Sequence, residues 1–260
     1  MRPYETNGQY LARYLLDHHL GGRGQRWSSL GSALLASDRG TDWVEAFQEM
    51  VSLQLARRLI SAGDKLIRQH GLPAAEADIK QAIIDTMVVH FTSAGDVYER
   101  LLPAVHSARG TISDSVRRSV TALARREMPY CYLCGTDVDF SADGHQAFTL
   151  DHVWPRAYGG NSDVENLLGA CRSCNEAKSS HPAWAMYPIQ SYVAGFGVQD
   201  LEDMPKVMRF AVQARAAKHL AQREGRSLRD AYLRLGRPDR PVVLSEATAV
   251  DLFNLEFSVR

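Results

Sequence analysis

Four cysteines, arranged as Cys131-Tyr-Leu-Cys134 and Cys171-Arg-Ser-Cys174 with none left over, constrain this chain more than any other feature of its sequence. Two intervening residues let both thiolates of a pair reach one tetrahedral ion at about 2.3 Å, and two such pairs fill its four positions. Disulfides are the competing reading. They are disfavoured because Met1 to Leu16 mixes charged and apolar side chains and carries no apolar secretion-signal core. A redox role for one pair would leave the other without a purpose. The spacing therefore predicts a closed, structural Zn²⁺ site made by Cys131, Cys134, Cys171 and Cys174, holding together a small domain with little core of its own.

The remainder of the 260 residues is 45% hydrophobic and 23% charged, which is enough to bury a core and argues against disorder or a fibrous repeat. No apolar run approaches the roughly 18 residues of a membrane span, so no membrane role is expected and a cytoplasmic location is. Residues 1–127 read as an α-helical region. Asp42 and Glu45 resemble a capping arrangement before a stripe of Trp43, Phe47, Met50, Val51, Leu55 and Leu59, and Ile79, Ile83, Ile84, Met87, Val88 and Phe91 form a second stripe. Gly63 and Gly71-Leu72-Pro73 are expected to break the pattern, and Pro103 to kink or break a helix over 97–107. A further helix follows Gly110, and Gly21 to Gly24 reads as a loop. Glycines, prolines and all four cysteines concentrate in 128–190, and helical signals return in 191–260, leaving Pro241 to Phe257 open between strand and helix. The fold class expected is mainly α.

Between the cysteine pairs run Leu150-Asp151-His152-Val153-Trp154-Pro155-Arg156 and Gly159-Gly160, then Glu165-Asn166-Leu167-Leu168, and the second pair continues as Asn175-Glu-Ala-Lys178. In this order the motifs resemble the HNH endonucleases, over about 50 residues. The resemblance implies a ββα-metal fold of two short strands and a crossing helix. It implies His152 as the general base that deprotonates water, a task suited to an imidazole with a pKa near 6.5. Asp151 and Asn175 would hold a catalytic Mg²⁺ or Mn²⁺, ions that take hard oxygen ligands. Asn166 is expected to bond backbone near His152 and so aim the base. Adjacent side chains point to opposite faces of a strand, so Asp151 and His152 can address metal and water separately. Asn175 also has a plainer role open to it, as a helix cap. Trp154 and Tyr158 are read as packing residues, with base stacking as the alternative.

Thirty basic and 30 acidic residues cancel over the whole chain, but from Met204 to Arg240 ten Lys or Arg face three acids. A stripe of Val207, Phe210, Ala214, Ala217 and Ala221 would leave Arg215, Lys218 and Arg223 off the apolar side, free to meet phosphates. Arg156 and Lys178 are further candidates for nucleic-acid contact. The expectation is a metal-dependent endonuclease that nicks DNA, leaving 5′-phosphate and 3′-hydroxyl ends, in the setting of anti-phage defence or restriction. The N-terminal helices are expected to regulate it or bind a protein partner. The alternatives are a zinc-ribbon binding module with an inactive nuclease centre and a nuclease directed at RNA.

Overall fold

A computed structural model describes residues 2, 4–20, 40–87, 91–141, 143–180 and 206–238. The expected loop at Gly21 to Gly24 and the stretch from Pro241 to Phe257 lie outside them. The chain divides into two compact units, one of 1–111 with 154–162 and one of 112–153 with 163–260. This division departs from boundaries at 127 and 190 in two places: the helix after Gly110 joins the cysteine-bearing unit, and nine residues of the motif region join the helical one.

The first unit is helical: α1 (Asn7–Leu15), a π-helical turn (Leu16–Leu20), α2 (Gly40–His70), a 3₁₀ turn (Pro73–Ala75), α3 (Glu76–Met87) and α4 (Phe91–Arg109). Thr6 starts α1 through a reciprocal cap, in which its hydroxyl accepts from the Gln9 N–H and its own N–H donates to Gln9 Oε1. Leu11, Leu15, Leu53, Leu59, Ile83 and Leu101 are fully buried between these helices. Gly63 does not end a helix as expected. It sits inside α2, where an added Cβ would lie 3.0 Å from Val105 Cγ2, so its smallness serves helix approach rather than termination. Likewise α4 runs through Pro103 without a break.

Residues 154–162 complete this unit. The Gly8 N–H donates to the Gly159 carbonyl at 3.0 Å, and a Cβ on Gly8 would stand 1.8 Å from the Tyr158 carbonyl oxygen. Only glycine permits that approach. Gly159 itself adopts φ 78°, the left-handed region that other residues enter at a cost. Trp154 and Tyr158 are buried and pack, as read, with the Trp154 indole N–H donating to the Tyr158 carbonyl at 2.8 Å. The Arg156 guanidinium donates to the Ala108 carbonyl at 3.0 and 3.3 Å, capping the C-terminal end of α4.

The second unit begins with α5 (Asp114–Glu127), capped by Ser113, whose hydroxyl accepts from the Val116 N–H. Strands β1 (Phe148–His152) and β2 (Leu167–Cys171) pair antiparallel, with Phe148 opposite Cys171, Asp151 opposite Leu168 and His152 opposite Leu167. Helix α6 (Arg172–Lys178) follows β2 directly, and α7 (Lys206–Glu224) and α8 (Leu228–Leu235) close the described part of the unit. Val120 and Ala124 of α5 are buried, and Gly169 leaves room for the Phe148 ring, which a Cβ would meet at 2.7 Å. The architecture is mainly α around a small ββα element, as expected. No helix among the described residues is long and apolar enough to cross a membrane.

Candidate metal centre and active site

The first cysteine pair sits on a turn in which the Cys131 N–H donates to the Thr136 carbonyl and the Gly135 N–H to the Cys131 carbonyl, each at 2.8 Å. Gly135 has φ 75°, which the turn demands. Cys171 ends β2 and Cys174 lies in the first turn of α6, so the two pairs converge from separate elements. All four cysteines are free thiols, and their Sγ atoms lie within 4.8 Å of one another. Cys134 and Cys171 are 3.9 Å apart, against about 3.8 Å for two sulfurs on a tetrahedral ion at 2.3 Å. Packed this closely, the thiols share protons: the hydrogen bond with Cys134 pushes Cys131 up to about 12, and Cys134 is lowered in turn. A divalent cation relieves that crowding by taking all four as thiolates. The donor set fits a structural Zn²⁺.

The last two residues of β1 are Asp151 and His152. Asp151 shares a strand face with Thr149, and α6 lies against that face. The Asn175 amide donates to Thr149 Oγ1 at 3.1 Å and to the Leu150 carbonyl at 3.3 Å. Asn175 is therefore a brace within α6 rather than its N-cap, which is Cys171. One turn on, Lys178 Nζ donates to Asp151 Oδ1 at 3.1 Å and to the His152 carbonyl at 2.9 Å, and lies 3.0 Å from Oδ2. The Tyr132 hydroxyl donates to Oδ2. The Tyr132 ring meets Tyr232 of α8 edge to face at 4.8 Å. Burial first, and the Asp151 charge after it, push both phenols up, so both remain protonated donors. His152 is half-buried at the strand end, opposite Leu167. Beyond it the Val153 N–H donates to the backbone carbonyl of Asn166 at 2.9 Å, and Asn166 is 2% exposed.

The structure thus brings Asp151, His152, Asn166, Asn175 and Lys178 to one end of the hairpin. It leaves no open coordination position on Asp151, whose two oxygens are taken by Lys178 and Tyr132 and which is 5% exposed. In this arrangement the pair Asp151 and Asn175 does not fit a catalytic Mg²⁺ or Mn²⁺.

The residues expected to meet phosphates fare unevenly. Lys178 is 3% exposed and bound to Asp151, so it is not the surface contact expected of it. Arg156 is exposed but caps α4. Lys218 is half-buried, and burial pushes its ammonium down to about 7, which weakens it as a phosphate ligand near neutrality. The Arg215 side chain lies outside what is described. Arg223 is exposed, yet together with Arg226 and Arg234 it surrounds Glu224 at 3.6, 3.0 and 3.4 Å, so part of the basic surplus staples α7 to α8. Tyr132 and Tyr232 were not visible as site residues in the sequence. Tyr132 lies inside the first cysteine pair, but nothing local marks either ring as a neighbour of Asp151.

No curated protein and no solved structure matches the chain. A family model does match, over residues 131–183, which begin at the first cysteine and include β1, β2 and α6. With its paired cysteines, its Asp-His strand end and its asparagines in register, this part of the chain is an HNH endonuclease domain.

Proposed function

We propose that the protein hydrolyses phosphodiester bonds of DNA, one strand at a time, with His152 as the general base. The observation that carries this reading is the convergence of His152, Asn166 and Asn175 on a ββα element within the matched segment. A phosphodiester repels nucleophiles, so hydrolysis needs a base for water and stabilisation of the charge that develops. His152 stands at the end of β1, held by main-chain pairing on one side and by Lys178 at its carbonyl on the other. The Val153–Asn166 hydrogen bond fixes the strand end from which the imidazole projects. The bonds of Asn175 to Thr149 and Leu150 brace the helix against the strand carrying both Asp151 and His152. Zn²⁺ at the four cysteines would hold this frame without touching substrate. A divalent cation, when bound, would supply charge stabilisation at the scissile phosphate. Because this chain carries one such site, nicking is the expected outcome, with 5′-phosphate and 3′-hydroxyl ends. A role in anti-phage defence or restriction is the setting proposed for it.

The test is a plasmid-nicking assay with Mg²⁺ or Mn²⁺, comparing the wild type with His152→Ala. Conversion of supercoiled to open-circular DNA should fall by about 100-fold or more in the variant, the usual contribution of a positioned base. Equal nicking by both proteins would remove His152 from the role. Nicking by neither, with zinc bound and the fold intact, would favour the binding-module alternative.

A further inference from the structure

We propose that Lys178 and a divalent cation are alternative occupants of the Asp151 carboxylate, so that the catalytic ion enters only as Lys178 leaves. The inference rests on the nuclease reading of Asp151 and explains why the arrangement described fits no ion there. An ammonium has three N–H donors. Lys178 has three oxygens within reach, at 3.1 Å and 3.0 Å on Asp151 and at 2.9 Å on His152. Lys178 is 3% exposed and Asp151 5%, so neither can trade its partner for water where it stands. A hard cation needs a carboxylate oxygen at about 2.0 to 2.2 Å and space for its own waters. An ammonium 3 Å from the same oxygens denies it both, and the two positive charges repel in a poorly solvated site.

The exchange has a structural route. Lys178 is the last residue of α6, and the helix is anchored to β1 one turn earlier by Asn175. Its four-carbon stem can therefore swing the ammonium away while Asn175 keeps the helix on the strand. An ion at Asp151 with a phosphate beside it replaces the positive charge that the carboxylate loses and offers the displaced lysine an anion. Metal and DNA then favour each other's binding, and the metal-free enzyme rests in a neutralised form.

The experiment uses the full chain, zinc-loaded, as wild type and as Lys178→Met. Mn²⁺ binding is measured without DNA from the paramagnetic resonance of the free ion. Removing the competitor should tighten Mn²⁺ binding roughly ten-fold, within the usual range of such couplings. The double variant Asp151→Asn, Lys178→Met should lose that gain. In parallel, an amine-reactive label read by mass spectrometry should reach Lys178 in the wild type faster with saturating Mg²⁺ than without it, a comparison that stands even if Lys178→Met fails to fold. Unchanged labelling, unchanged or weaker Mn²⁺ binding in the single variant, or a gain that survives Asp151→Asn would each overturn the exchange. Nicking by the same wild-type preparation separates the two ideas. Tighter Mn²⁺ binding with no nicking sinks the nuclease reading alone, and nicking with unaltered binding sinks the exchange alone.

Discussion

Lys178 and Asp151 are each buried against the other, and the cost of separating them falls on whichever remains. Truncating Lys178 to Ala in metal-free protein should destabilise the second unit by about 3–5 kcal/mol, the usual penalty of leaving one buried charge without its partner. Urea unfolding of the zinc-loaded protein measures it. A loss below about 1 kcal/mol would mean that water reaches the pair in solution. A second ion pair gives a pH signature. Burial raises the Glu5 carboxyl, but hydrogen bonds from the Arg13 guanidinium and the Arg2 N–H outweigh it, and the net effect is a value below the usual 4.5. A carboxylate depressed by folding contributes stability that is present above its unfolded value and is lost as pH falls through its folded one. Glu5→Gln should therefore flatten the acid side of the melting-temperature profile below about pH 4.5 and leave the neutral side parallel to wild type. An unaltered acid limb would show that the bond contributes nothing in solution.

At the scale of elements, two glycines in helices should respond in opposite directions to the same change. Gly95 in α4 has open space around its Cβ position, so Gly95→Ala should stabilise by about 0.5–1 kcal/mol through helix propensity. Gly8 in α1 faces the Tyr158 carbonyl at 1.8 Å and Trp154 Nε1 at 2.7 Å, so Gly8→Ala should destabilise by about 3 kcal/mol or more. Thermal melts of the pair decide it, and a stabilised Gly8→Ala would disprove the docking of α1 on residues 154–162. The zinc element makes a separate prediction. Cys134→Ser, or chelation, should release bound zinc and collapse the ββα element, because the ion supplies what so small a core cannot. If bound zinc and the melting curve are unchanged in Cys134→Ser, the four-cysteine site is wrong. Helical stripes such as Ile79 and Ile83 were legible because a 3.6-residue period writes itself into sequence. Gly63 and Pro103 misled because breaking propensity is weak, and packing along α2 and α4 overrides it.

For the whole molecule, the chain passes between its two units at 111–112, at 153–154 and again at 162–163. The helical region is therefore no detachable module. Removing residues 1–110 would strip the partners of Trp154 and Tyr158, which are 5% and 1% exposed. Such a truncation should aggregate or bind a hydrophobic dye rather than yield a deregulated nuclease, and size-exclusion chromatography would show it. A monomeric, folded, active remainder would overturn this and restore the N-terminal region to a separable role.

Residues close together in sequence sufficed to find the zinc ligands, the Asp-His strand end and the bracing asparagines, because a tetrahedral ion and a hairpin impose their geometry over short spacings. Mainly α architecture was equally legible from periodicity. Spacing could not tell that α5 joins the hairpin, that residues 154–162 join the helices, or that Lys178 and Tyr132 occupy the carboxylate expected to be open. Those outcomes depend on which distant elements exclude water from which side chains. Burial of that kind is a property of the assembled fold: Asp151 is neutralised where it stands because α6 and Tyr132 close over it, and Lys218 loses its expected charge because its own unit buries it.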